Sequence, residues 1–334
     1  MPGSVSLWQN AGRRRWASDM AAIVLPSVMF LVAGSTYSNQ LLLVNMLVFA
    51  ILAQGVNVIY GFTGYLPFGY AGFFGAGAYG TSLVVLQLGV SNGWLAVAFG
   101  GLAGVLLALL LTPLLRLAGA YFAIASLAAG QAVYDIVSNP SLTSVTKGPY
   151  GIDLASIYDP TQSYWALVLV LAIAVAAVVY LRRSTFGLRL RAIRSDPVSA
   201  EAAGVHVVRE RALAWMISGL LAGLAGGAFA WAISVFYPET VFDLSISIFA
   251  IVFALFGGLG SAWGPMVGAV LLYGLYSFIG VSQPQYFQLI YGVLIVVLVL
   301  FVPDGVAALV AGGRGKPSRR RRPVEPETQV PGGG

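Results

Sequence analysis

Residues 61–80 read GFTGYLPFGYAGFFGAGAYG, a stretch that is apolar and yet full of residues that weaken helices. Seven of its twenty residues are glycine, seven are Phe or Tyr, and none is charged. Each glycine inside a helix costs about 1 kcal/mol relative to alanine. Irregular backbone is tolerated at membrane depth only where protein shields it or where it lines a cavity. The stretch therefore predicts either close helix packing or the wall of a pathway.

The composition of the whole chain sets the class of protein. Hydrophobic residues make up 58 % of the 334 residues and charged residues only 9 %, whereas soluble domains carry about 25 % charge. The chain is therefore predicted to be an all-α polytopic membrane protein. It has no cysteine and a single histidine, His206. Disulfides and thiolate metal sites are excluded, and neither a histidine metal site nor a catalytic triad is expected.

Apolar runs of about 20 residues locate the membrane-crossing helices. Residues 1–19 are predicted to be a cytoplasmic segment, 20–303 a transmembrane domain, and 304–334 a disordered basic cytoplasmic tail. An outer loop at 139–162 and a cytoplasmic loop at 182–211 interrupt the domain. About ten spans are predicted, at 20–37, 40–60, 66–88, 93–114, 118–138, 163–181, 212–235, 244–259, 264–281 and 285–303.

Charge orients these spans. With both termini cytoplasmic, Lys147 is the one cation on the outer side, and the other seventeen of the eighteen Lys and Arg lie inside. This is the bias that the positive-inside rule describes. Ten spans also divide into five plus five, which allows an inverted repeat. The run Arg319 to Arg322 is expected to lie against anionic membrane lipids and not against nucleic acid.

The predicted spans hold almost no ionisable residue, although ion-coupled transporters usually need one. The chain has no phosphate-binding loop either, because Gly315-Lys316 is followed by Pro317 in place of Ser or Thr. We therefore expect no ATP hydrolysis, no enzymatic activity and no cofactor in this chain. Energy for transport would enter through another protein.

The cytoplasmic loop predicts a short helix between two membrane helices. Asp196 suits the N-cap, Pro197 the first helical position, and Gly204 the left-handed residue that ends the helix. A second helix is predicted to begin near Val207 and to continue into the next span. A compact helix held in this way could dock into another protein. An ordinary positive-inside loop is the alternative.

Residues 186–205, FGLRLRAIRSDPVSAEAAGV, resemble the coupling loop of LivM-type permease subunits of branched-chain amino-acid ABC importers. Further blocks resemble that family in the same order. They are LRLAGAYFAIASLAAG (115–130), TKGPYG (146–151), LAGLAGGAFA (221–230) and FALFGGLGSAWGPMVGA (253–269). The stretch at 61–80 resembles it as well, so the similarity covers roughly 40–308. Permeases for urea and short-chain amides are similar, so the cargo is less well defined than the family.

The resemblance implies an ABC importer permease in a bacterial inner membrane. Its partners would be a LivH-like second permease, two ABC ATPase subunits, and a periplasmic or lipid-anchored binding protein. By matching position, an ATPase-coupling surface is implied. Its residues are Phe186, Gly187, Arg191, Ala192, Arg194, Asp196, Ala200, Glu201, Ala203 and Gly204.

A substrate pathway is the second predicted site, with helix packing as the alternative. Its residues are Gly61, Gly64, Phe68, Gly69, Tyr70, Phe73, Gly77 and Gln131. Many relatives have histidine at the position of Tyr70 and an acidic residue at that of Gln131, so the substrate preference could differ. A stand-alone secondary transporter or channel, or a membrane scaffold, is the alternative from another class.

Two further glycine clusters are interpreted structurally. Gly219, Gly223 and Gly227 repeat every four residues, a pattern typical of close helix packing. Residues 257–265 are predicted to form a turn between two spans, with a broken helix facing the pathway as the alternative.

Overall fold

The computed structural model describes residues 20, 23–35, 37, 39–282, 292, 293 and 296, and most of them are helical. The organising helices are α1 (Ile23–Ser35), α2 (Gln40–Val56), α3 (Tyr70–Leu88), α4 (Gly93–Leu110), α5 (Ala120–Val137), α6 (Pro160–Arg183), α7 (Thr185–Ser195), α8 (Pro197–Ala202), α9 (Val207–Ile233), α10 (Leu244–Gly257) and α11 (Gly264–Ser282).

Seven helical stretches among the described residues are long and apolar enough to cross a membrane. They contain α2, α3, α4, α5, α6, α9 and α10, while the apolar stretches Ile23–Ser35 of α1 and Gly264–Gly280 of α11 are shorter. The prediction of a polytopic helical membrane protein is confirmed. The predicted tenth span at 285–303 falls almost wholly outside the described residues, as do the tail at 304–334 and the segment at 1–19.

Polar residues define where several of the long helices begin. The carboxylate of Asp159 accepts hydrogen bonds from the backbone N–H groups of Thr161 and Gln162, at 3.0 and 2.9 Å, with Pro160 as the first helical residue. Asn92 caps α4 in the same way, and Asp243 caps α10. These caps satisfy N–H groups that have no partner inside their own helix.

Glycines allow α3, α4 and α9 to cross at backbone contact distance. A Cβ added to Gly77 would lie 2.1 Å from the carbonyl oxygen of Gly223, and one on Gly104 would lie 2.2 Å from that of Gly219. A Cβ on Gly227 would lie 2.3 Å from the hydroxyl of Thr81. The packing interpretation of the repeat at 219, 223 and 227 is confirmed. Small residues are the means by which membrane helices approach closely without a hydrophobic driving force.

The two ends of the bundle differ in construction. At one end, β1 (Ile152–Asp153) pairs antiparallel with β2 (Val235–Phe236) and fixes the loop at 139–162 to the end of α9. The indole N–H of Trp231 donates to the carbonyl of Ile157 at 2.7 Å and strengthens this link. At the other end lie α7 and α8, which follow α6 and precede α9.

Candidate functional site

The helix pair α7 and α8 is the first candidate site, and its caps follow from the sequence. The Ser184 hydroxyl accepts from the N–H of Gly187 at 3.1 Å, and the Asp196 carboxylate accepts from the N–H of Val198 at 3.0 Å. Gly204 has a φ of +84°, a left-handed conformation that favours glycine. The short helix predicted from Pro197 is therefore confirmed, and it ends at Ala202. The prediction that a helix begins near Val207 is confirmed as well.

A small apolar cluster fastens α8 to its neighbours. Ile193, Ala200 and Val207 are all buried and come from α7, α8 and α9. Ala200 therefore faces the inside of this chain. Gly187 is also enclosed, because a Cβ there would lie 1.6 Å from the carbonyl oxygen of Leu181. Two residues of the predicted ATPase-coupling surface thus hold the loop together.

The other residues of that surface are more open. Phe186 is half-buried against the core, whereas the rest are exposed, namely Arg191, Ala192, Asp196, Glu201, Ala203 and Gly204. Two apolar side chains that the sequence analysis passed over lie exposed beside them: Val198 is 76 % exposed and Leu188 is 61 % exposed. The sequence did contain a signal for Val198, because it is an aliphatic residue on the short helix of a loop rich in arginine. Both lie outside the predicted membrane spans, so we interpret them as candidates for an interaction surface.

Arg194, the remaining residue of the predicted surface, is exposed as well, but its guanidinium contacts the bundle. Its guanidinium donates to the carbonyl oxygen of Gly61, at the end of the helix that α2 begins. Helix C-termini carry carbonyls without intrahelical partners and a partial negative charge, so an arginine there is stabilising. A second charged contact joins α7 to α9, where Arg189 pairs with the buried Glu210 at 3.0 Å. The sequence analysis did not single out Glu210.

The second candidate site is the glycine-rich stretch, and its aromatic residues are enclosed in this conformation. Tyr70 is fully buried, and its hydroxyl donates to the carbonyl of Ser218 at 3.0 Å. The Ser218 hydroxyl in turn donates to the carbonyl of Gly55 at 2.8 Å. Phe73 is buried too and meets Trp215 edge to face at 4.7 Å between ring centroids. A solute could touch Tyr70 only if α2, α3 and α9 separated.

The glycines of the predicted pathway also contact backbone. Gly69 packs on the Ser126 carbonyl of α5, and Gly77 packs on α9. Gly61 is buried, whereas Gly64 is exposed with a φ of +80°. Phe68 is half-buried, and Gln131 is exposed with its amide donating to Asp135 at 3.1 Å. Gln131 is thus exposed whereas Tyr70 is enclosed, and the pathway role of these residues stays a prediction.

A polar network at the end of α2 was not predicted. Residues Asn57–Gly61 form a π-helical turn that continues α2, and such turns occur frequently at functional sites. Asn57 is fully buried, donates to the carbonyl of Ser261 at 2.9 Å and accepts from the N–H of Gly260 at 2.6 Å. Gln54 donates to the carbonyl of Ala262 at 2.7 Å. The signal available in the sequence was Gln54 and Asn57, two amides three positions apart in the second half of the mostly apolar span at 40–60.

The turn at 258–263 between α10 and α11 is the partner of that network. It confirms the predicted turn in the glycine cluster at 257–265. Gly257 and Gly264 touch backbone to backbone, since a Cβ on Gly257 would lie 1.9 Å from the carbonyl oxygen of Gly264. The turn is thus tight, and α2 holds it from one side.

One helix face remains uncovered. Of the candidate membrane spans in the described chain, α5 has the smallest buried share, 17 %. Tyr121, Ile124 and Ile136 on this helix are 76, 65 and 60 % exposed.

A metal site finds no support in the part of the chain that the structure describes. No group of three or more His, Asp or Glu residues there could hold an ion.

Comparison with known proteins places these features in a family. Residues 40–299 match the family model described as branched-chain amino acid transport system / permease component. The high-affinity branched-chain amino acid transport system permease protein LivM of Salmonella typhimurium is 28 % identical over 292 residues, covering 78 % of this chain and 68 % of the relative.

Two further relatives show the breadth of the similarity. The permease protein LivH of the corresponding system of Escherichia coli is 22 % identical over 287 residues, covering 77 % of this chain and 90 % of LivH. The guanosine ABC transporter permease protein NupQ of Bacillus subtilis is 28 % identical over 158 residues, covering 47 % of this chain and 48 % of NupQ. Since the family model spans well over half of the chain, the protein belongs to the family of branched-chain amino acid transport system permease components and is a LivM-type permease.

Proposed function

We propose that this chain is the transmembrane subunit of an ATP-driven importer that carries branched-chain amino acids across a bacterial inner membrane. The observation that carries the proposal is the helix pair α7 and α8. It presents exposed apolar and charged residues at one end of the bundle. Arg194 anchors it to the π-helical turn that continues α2, and Arg189 anchors it to α9. A surface held in this way can transmit force from a docked ATPase to the membrane helices.

The proposed complex has this chain beside a LivH-like permease, with two ABC ATPases on the cytoplasmic side and a binding protein on the outer side. Ten spans with both termini cytoplasmic, arranged as an inverted repeat, complete the proposal. The uncovered face of α5, with Tyr121 and Ile124, is where we place the second permease, with membrane lipid as the alternative neighbour. ATP hydrolysis is assigned to the partner ATPases.

The proposed cargo follows from the relatives and from the chemistry of the glycine-rich stretch. The LivM and LivH relatives are named for branched-chain amino acids. The residues of the stretch at 61–80 carry no charge. An apolar wall with backbone polar groups suits a zwitterion with an aliphatic side chain better than an ion. Urea and short-chain amides are the competing cargoes.

Reconstitution tests the proposed function directly. We expect vesicles that contain this chain with its permease partner, ATPases and binding protein to accumulate leucine only when ATP is present on the ATPase side. An excess of isoleucine or valine should compete, whereas urea and acetamide should not. Uptake by this chain alone under an ion gradient would contradict the proposal, and inhibition by urea would shift the cargo to amides.

The orientation can be tested because the chain has no native cysteine. Ser144 and Ser195 are exposed at opposite ends of the bundle. We expect a membrane-impermeant maleimide to label Ser144→Cys in intact spheroplasts but Ser195→Cys only after permeabilisation, since the positive-inside rule places the arginine-rich loop in the cytoplasm. The reverse labelling pattern would contradict the proposed topology.

A further inference from the structure

Three parts of the chain that are far apart in sequence meet at the π-helical turn Asn57–Gly61. Arg194 of α7 donates to the carbonyl of Gly61 at one end of the turn. Asn57, at the other end, is hydrogen-bonded to the turn between α10 and α11. The attachment of the α7–α8 helix pair at Gly61 and that of the α10–α11 turn at Asn57 are therefore only four positions apart. The two attachments lie on successive turns of one continuous helix.

The contacts of Asn57 fix the turn between α10 and α11 relative to the helix that α2 begins. Both polar atoms of its amide are used, because the Nδ2 atom donates to Ser261 and the Oδ1 atom accepts from Gly260. Gln54, one turn earlier, adds a bond to Ala262 and lies 3.3 Å from the Asn57 amide. All of these side-chain groups are buried. Breaking one would leave a polar group without water, which costs about 1–3 kcal/mol, so the turn at 258–263 should follow α2 when α2 moves.

The backbone at this point is irregular. A π-helical turn departs from regular α-helical hydrogen bonding, and its end is held here by interactions from other segments, namely Arg194 at Gly61 and Asn57 at Gly260 and Ser261. The Gly64 backbone that follows takes a left-handed conformation beside the Arg194 side chain. A change in the position of α7 therefore acts on a segment with a built-in irregularity.

We propose that Asn57 is a positioning residue that transmits movement of the α7–α8 helix pair, through Arg194 and the π-helical turn, to the turn between α10 and α11. This inference rests on the proposed function for its consequence in transport, but the mechanical link itself does not. When ATP binding displaces α7, Arg194 moves the Gly61 carbonyl, and Asn57 passes this movement to the turn between α10 and α11. Arg194 thus connects the link to α7, and Asn57 connects it to α10 and α11.

Hydrogen exchange tests the link without any transport assay. In the purified permease we expect Arg194→Ala to raise amide exchange in residues 258–262 about tenfold or more, because the π-helical turn that holds them loses its anchor. Arg191→Ala is the matched control, since the guanidinium of Arg191 bonds to the carbonyls of Gly187 and Arg182 on its own side of the bundle. Exchange in 258–262 that is the same in both variants would overturn the proposal.

A transport assay tests the contact between Asn57 and the α10–α11 turn. In the reconstituted complex we expect Asn57→Leu to lower leucine uptake per ATP hydrolysed about tenfold, a typical coupling factor, while ATPase association and hydrolysis stay near the parent values. Asn57→Asp, which keeps the acceptor for Gly260 and loses the donor to Ser261, should fall between. Asn45→Leu is the control on the same helix, because the Asn45 amide bonds to Leu41 of α2 itself.

The outcomes separate this inference from the proposed function. Equal loss of uptake and hydrolysis in Asn57→Leu, together with a lowered melting temperature, would mean that Asn57 only stabilises the fold and would overturn the proposal. An unchanged ratio of uptake to hydrolysis would overturn it as well. If the parent complex shows no ATP-driven uptake, the proposed function fails, and the hydrogen-exchange comparison then decides the mechanical link on its own.

Discussion

Replacing Val198 by aspartate is expected to detach the ATPase subunits from the permease complex. Val198 is 76 % exposed on α8, and an apolar residue so placed is a strong candidate for the centre of a docking interface. Burying a carboxylate there would leave an unpaired charge away from water. With Glu201→Lys added on the same short helix, we expect about 4 kcal/mol of lost binding, or roughly a thousandfold weaker association. The measurement is co-purification of ATPase with a tagged permease.

The folded permease should survive these changes, because both side chains point away from the bundle. The buried cluster of Ile193, Ala200 and Val207 that fastens α8 is left intact. Val145→Asp is a matched control, since Val145 is 45 % exposed in the loop at the opposite end. Undiminished ATPase recovery with Val198→Asp and Glu201→Lys combined would show that the docking surface lies elsewhere.

Replacing Gly104 by valine is expected to cause a large loss of stability. Its Cβ would lie 2.2 Å from the carbonyl oxygen of Gly219 and 3.0 Å from the Cα of Gly223, and both are backbone atoms that cannot rotate away. Helices α4 and α9 would have to separate, which would also disturb the contact of Gly77 with Gly223. Overpacking of this kind costs about 3 kcal/mol or more. Thermal unfolding in detergent, followed by size-exclusion chromatography, would measure the loss.

Ala98→Val provides the control, because it also introduces valine, at an exposed position of the same helix. We expect its melting temperature to stay close to that of the parent. If Gly104→Val were as stable as Ala98→Val, the close crossing of α4 and α9 would be unnecessary to the fold. The same experiment on Gly77→Val would then show whether α3 alone holds α9.

The sequence predicted most elements of this fold through local physical signals. The short helix after Asp196 was expected because a cap, a proline and a following glycine mark its ends within a few residues. The packing face at 219, 223 and 227 was expected because a four-residue spacing places small side chains on one side of a helix. Such signals need no knowledge of the neighbouring elements.

The orientation of individual side chains could not be obtained in this way. The resemblance placed Ala200 and Gly187 on the ATPase-coupling surface, yet both residues are buried within this protein. Arg194 was expected on the same surface, and its guanidinium contacts Gly61, a residue 133 positions earlier. Sequence spacing says which residues share a helix, but it does not say which neighbour a long side chain will reach.

By itself, the sequence determined that this protein is a polytopic helical membrane protein with an arginine-rich loop between two of its predicted spans. These properties depend on composition and on local patterns along the chain. Only the tertiary structure decided that Tyr70 is enclosed by α2, α3 and α9, and that Asn57 joins α2 to a turn some two hundred residues away. The reason is physical: a buried amide or hydroxyl must find a hydrogen-bond partner, and folding alone brings that partner within reach.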